Sequence, residues 1–141
     1  MSARRVLGRL RWAILAGLVA LFVSVGYLGE SVWNGLPAKP RVVAVPDLSE
    51  DARAGGDVFD RRCSTCHGRN AAGSDTGPPL VHRIYRPAHH ADVAFALAIQ
   101  RGVRSHHWQF GDMPPQPGLS PREVEMLVRY VRELQRANGI E

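Results

Sequence analysis

Cysteine is confined to one five-residue stretch, Cys63-Ser64-Thr65-Cys66-His67, and no second ligand pair stands at the spacing of a zinc site. That argues against structural zinc, which takes four ligands in paired spacing. A thiol redox pair would use the two cysteines but leave His67 without a role. Aromatic residues are few, at 7%, and no arginine cluster is interleaved with them. The formal charge of +5 therefore does not signal nucleic-acid binding. No catalytic acid–base pair is identifiable, and no small-molecule substrate is indicated. Apolar residues make up 45% of the chain, but after residue 30 there is no long uninterrupted run of them.

What the chain does have is the spacing C-x-x-C-H, the attachment signature of c-type haem. Two sulfurs in that spacing add to the two haem vinyl groups, and the histidine next to the second can take the iron from one face. The expected cofactor is one haem c, bound covalently through Cys63 and Cys66 with His67 on the metal. The 141 residues allow one small domain plus an appendage. The apolar content left for that domain is thin, so the haem supplies its centre and the apoprotein is expected to fold poorly.

The N-terminal third divides into a basic segment at 1–11, an apolar segment at 12–30 and a proline-containing linker at 31–46. From Trp12 to Gly29 there is no charge. As a helix this run is about 27 Å long, close to the ~30 Å hydrocarbon core of a bilayer. Trp12, Tyr27 and Trp33 suit the interfaces, and Arg4, Arg5, Arg9 and Arg11 orient the N-terminus to the cytoplasm. The expectation is a single-pass anchor in a bacterial inner membrane with the remainder, 47–141, in the periplasm. A cleaved signal peptide is the alternative. Ser24 and Gly26 could precede the cut, but no Ala-x-Ala closes the run. Pro37, Pro40 and Pro46 rule out a continuous helix through the linker. Val42–Val45 could dock as a strand.

Beyond the linker the pattern is helical. Ser49 caps a helix with Glu50 and Asp51 in its first turn, and Ala52, Gly55 and Phe59 share one face. Residues 68–75 read as loop. Asp92 can cap a second helix through Phe95 and Ile99, stopped by Gly102. Ser120-Pro121 with Glu123 opens a third, with Val124, Leu127, Val128, Val131 and Leu134 on its apolar face. Met113 is the candidate sixth ligand. It lies in a Gly/Pro-rich loop, whereas Met126 falls in a helical pattern and Met1 precedes the apolar segment. His106 or His107 is the rival ligand, and imidazole would lower the potential relative to thioether. Tyr85, Arg83 and Arg86 are candidates for the propionates. His89-His90 alone is weak as a metal signal. Trp108 is a candidate for packing on the haem or for docking.

The C-x-x-C-H motif, Gly55 and Phe59 before it, Thr76-Gly77-Pro78-Pro79-Leu80 after it, Gly111-Asp112-Met113-Pro114 and Leu127-Val128-Arg129-Tyr130-Val131 together resemble a class I monohaem cytochrome c. The resemblance covers roughly 47–136. It implies an all-α fold around one haem, here preceded by a transmembrane helix. It implies that the Pro78 carbonyl holds the His67 ring, that Met113 completes the coordination, and that Tyr130 packs across Gly55. The function it implies is one-electron transfer between membrane redox complexes, such as cytochrome bc1 and a terminal oxidase or reaction centre. The alternative is a haem subunit fixed in one membrane enzyme complex. A haem sensor or peroxidase would require Met113 to be displaceable. Partners are then an electron donor and an acceptor in the membrane, and the lipid bilayer.

Overall fold

Ser49 begins the first long helix, α1 (Glu50–Arg62), and its hydroxyl accepts the Ala52 amide. The same residue reaches across the domain. Its amide and hydroxyl donate to the two Glu133 carboxylate oxygens at 2.9 and 2.7 Å. In this computed structural model the described residues are 14–24 and 42–141. Residues 14–24 are helical, and among the described residues no helix is long and apolar enough to cross a membrane. The basic segment 1–11, the remainder of the expected 12–30 span and the linker up to residue 41 lie outside the described residues.

After α1 come the one-turn helix α2 (Ser64–His67), short 3-10 turns at Arg69–Ala71 and Arg83–Tyr85, then α3 (Asp92–Arg101) and α4 (Pro121–Ala137). Among the described residues there is no strand, only an isolated antiparallel bridge between Val103 and Met113. The domain is helical, as expected from the periodicity. α4 has the full reciprocal cap read from the sequence: Ser120 accepts the Glu123 amide, Glu123 accepts the Ser120 amide, and Pro121 opens the helix.

The core is the crossing of α1 and α4. Phe59, Leu127, Tyr130, Val131 and Leu134 are buried there, and the Phe59 and Tyr130 rings sit 5.4 Å apart. Two glycines make the crossing close, in different ways. A methyl on Gly55 would lie 2.0 Å from the Met126 carbonyl oxygen, so α4 backbone occupies that space. A methyl on Gly56 would instead meet the Tyr130 ring, at 3.1 Å. The expected pairing of Tyr130 with Gly55 is therefore corrected by one residue: Tyr130 covers Gly56, and Gly55 admits the partner backbone. One residue is about 100° of helix rotation, so neighbouring glycines face different parts of α4.

A second correction concerns Asp92. The capping conformation belongs to Ala91, and Asp92 is the first helical residue. Its carboxylate is taken by Arg132 Nε at 2.7 Å. Arg132 is 6% exposed, and its guanidinium also donates to the Tyr85 carbonyl and Gln135 Oε1 at 2.7 and 2.6 Å, and to the His90 carbonyl. It lies 4.7 Å over the Phe95 ring. This arginine joins α4 to α3 and to the segment between them and α2.

The stretch Val42–Val45 docks without becoming a strand. The Ala44 amide donates to Asn138 Oδ1 at 3.0 Å and its carbonyl accepts from Asn138 Nδ2 at 2.8 Å, while Val43 packs on the core. Asn138 thus ends α4 and holds the incoming chain with one side-chain amide.

Candidate haem site

α1 delivers Cys63 at its C-terminus, and α2 turns Cys66 and His67 through one helical turn. The chain then loops back so that Gly77 crosses Cys66 closely. A methyl on Gly77 would lie 2.5 Å from the Cys66 carbonyl oxygen. That approach places the Pro78 carbonyl 2.9 Å from His67 Nδ1. A carbonyl only accepts, so Nδ1 carries the hydrogen and Nε2 keeps its lone pair. Burial holds the His67 pKa below its ordinary value, against the opposing pull of the Pro78 hydrogen bond. The ring is therefore a neutral ligand with a fixed tautomer.

His67 opens onto a cavity of about 500 Å³. Phe59 and Cys63 line it from α1, Leu127, Val128 and Val131 from α4, and Ala94, Phe95 and Ala98 from α3. Met113 and Trp108 line it from the loop that follows α3. A smaller cavity of about 120 Å³ shares Cys63, His67, Pro78 and Met113 with it and is lined by Cys66 as well. Burial pushes the Cys63 thiol up to about 11, with Arg62 opposing and Cys66 adding to the rise.

Met113 is placed by backbone pairing. Its amide donates to the Val103 carbonyl and its carbonyl accepts the Val103 amide, both at 2.9 Å. Gly102 ends α3 at φ +75° and allows the chain to turn into this pair. Met126 is half-buried within α4 and lines neither cavity.

Tyr85 and Trp108 line the larger cavity together, with Trp108 Nε1 donating to the Tyr85 hydroxyl at 3.1 Å. Burial raises the Tyr85 pKa, and the Trp108 bond acts in the opposite direction. Arg83 and Arg86 are exposed and do not line the cavity; the residue of that type which does is Arg101, at the end of α3. Of the turn Arg83–Tyr85, only Tyr85 lines the cavity. His90, His106 and His107 also line the cavity, a role the sequence reading left open. The adjacency of His89-His90 and His106-His107 is a visible signal, but only the fold shows that the two pairs meet. Partial desolvation, and then His106, His90 and His89, lower the His107 pKa.

The donor set suits a haem. A neutral imidazole nitrogen, a thioether and a thiol line one apolar cavity, with a second thiol at its neighbour. The cytochrome c family model matches residues 52–135. The chain belongs to the cytochrome c family. Membership implies covalently bound haem c, on the C-x-x-C-H residues Cys63, Cys66 and His67 present here, and suggests electron transfer. A curated relative, a cytochrome c-553-like protein of Synechocystis sp., is 28% identical over 122 residues, covering 85% of this chain and 100% of the relative. No solved structure matches.

Proposed function

We propose that this cytochrome c is a membrane-anchored one-electron carrier of the bacterial periplasm, working between membrane redox complexes such as cytochrome bc1 and a terminal oxidase or reaction centre. The observation that carries the reading is the apolar cavity of about 500 Å³ onto which His67 and Met113 both open. Haem c supplies a one-electron iron couple when bound. Pro78 orients the His67 ring and keeps its Nε2 unprotonated. Met113, which lines the same cavity, would hold the iron through its thioether together with His67 and so leave no open site for a substrate. Phe59, Leu127, Val128 and Val131 exclude water. The Tyr85–Trp108 pair closes the wall on the loop side. The uncharged run behind Arg4–Arg11 supports anchoring, which confines the carrier near its partners and raises its effective concentration.

The test has two parts. Oxidised holoprotein should show the weak near-infrared methionine-to-iron band, and Met113→Leu should abolish it; persistence in that variant would move the ligand elsewhere. Native membranes extracted in mild detergent should release mostly free protein, with electron-transfer rates that fall as salt rises. Recovery in one stable complex of fixed stoichiometry, with salt-insensitive transfer, would assign it instead as a fixed subunit.

A further inference from the structure

His89 and His90 follow the turn Arg83–Tyr85, and His107 comes from the loop before Met113. His107 is 17 positions from His90, yet one ring nitrogen from each of the three lies within 4.8 Å of the others. The ring centres of His90 and His107 are 5.2 Å apart, those of His89 and His107 5.4 Å. The geometry points to a transition-metal site at His89, His90 and His107, separate from the haem iron, taking a divalent ion of the zinc–copper class.

Three features carry this. First, His90 is already set as a ligand. Its Nδ1 faces the Ile84 carbonyl at 2.9 Å, so that nitrogen donates and Nε2 is left with its lone pair. The His90 carbonyl is held in turn by buried Arg132, so both ends of the residue are fixed. Second, among the described residues no carboxylate pairs with these rings. No ion pair therefore competes with a metal for these nitrogens. Third, the donors are all imidazole, which suits zinc, copper and nickel rather than calcium or magnesium.

Nitrogens around tetrahedral zinc are about 3.3 Å apart, given metal–nitrogen bonds of about 2.0–2.1 Å. The site must therefore contract by roughly 1.5 Å at its widest. His89 and His107 are exposed and can close by side-chain rotation while His90 stays in place. Three protein ligands leave a fourth position for solvent. The His106 ring lies 4.2 Å from His107 by centres.

The experiment is titration of holoprotein with Zn²⁺ alone, followed by calorimetry, with the haem spectrum recorded throughout. One equivalent per chain is expected. His89→Gln and His107→Gln should each weaken binding more than about tenfold, since even outer-sphere partners of a metal ligand are worth about 10–100-fold. The haem bands should not move in His89→Gln, whose side chain does not line the cavity. Cu²⁺ in place of Zn²⁺ should give an EPR signal with nitrogen hyperfine structure that both variants lose. Binding that both variants retain at full affinity, or no binding to the wild-type holoprotein, overturns the site. So does a changed haem spectrum in His89→Gln, because that ring would then belong to the surroundings of the haem. His89→Gln, at an exposed position that does not line the cavity, tests the site even if the loop variant folds poorly.

Discussion

Replacing Gly55 by alanine should damage the fold, whereas the same change one residue later should not. The new methyl at Gly55 would overlap the Met126 carbonyl oxygen at 2.0 Å. Carbon–oxygen contacts settle at about 3.3 Å, so α1 and α4 must part by roughly 1.3 Å. A gap of 0.5–1 Å already forfeits a quarter to a half of each contact's attraction. A buried leucine such as Leu127 makes about 40–60 contacts worth roughly 0.1–0.2 kcal/mol each, so its loss alone is about 1–6 kcal/mol. Alanine's better helix propensity returns up to about 1 kcal/mol. The net expectation is a destabilisation of about 2 kcal/mol, within the range of overpacked cores. At Gly56 the methyl meets a side chain, the Tyr130 ring at 3.1 Å, which can yield by a few tenths of an ångström. Gly56→Ala should therefore lie within about 1 kcal/mol of wild type. Denaturant titration of both holoproteins measures this, with equal slopes confirming a common transition. A Gly56→Ala variant less stable than Gly55→Ala would refute the assignment of which glycine faces the backbone.

Ser49→Ala removes a helix cap and the hydroxyl contact to Glu133, while the backbone amide contact stays, and should cost about 1–2 kcal/mol in the same titration. Burial alone would raise the Glu133 pKa, but the Ser49 hydroxyl and amide, with Arg136 and Arg129, bring it below its ordinary value. That stability is present above the ordinary carboxylate pKa and is lost as pH falls through the folded value, so the variant should show a flatter acid limb. Arg132→Met leaves the Tyr85 and His90 carbonyls short of donors and should lose at least about 2 kcal/mol; thermal unfolding checks it. Cys63→Ala/Cys66→Ala, made without haem, should keep helical far-ultraviolet dichroism and lose the near-ultraviolet signal, because the cavity loses the group that fills it.

The parts of this fold that local chemistry dictates were legible in the chain. Ser120-Pro121 with Glu123 states where α4 begins, and Ser49 with two acidic neighbours does so for α1. The Pro78 contact to His67 follows from a family resemblance and stands at 2.9 Å. Features that depend on how elements meet were not legible. Tyr130 covers Gly56 because the rotation of α1 against α4 is set by packing, not by either helix alone. Asp92 looks like a cap, but its carboxylate belongs to Arg132, 40 residues away. Arg132 itself reads as one more charge on an amphipathic helix until the segment it holds is seen. The two histidine pairs lie far apart in sequence and become one cluster only when the Met113 loop folds over the Arg83–Tyr85 turn.

The Val103–Met113 bridge has a bearing on how the iron is served. Its paired bonds close residues 104–112 into a ring of peptide anchored at the foot of α3. Closing a flexible loop has an entropic penalty that rises as the logarithm of its length, and here backbone pairing meets it without help from the metal. The thioether then has only its own rotatable bonds to order on coordination. With Met113 as the proposed iron ligand, its side chain would move by rotation about those bonds while the loop keeps its course. Such movement would be separated from unfolding of the segment.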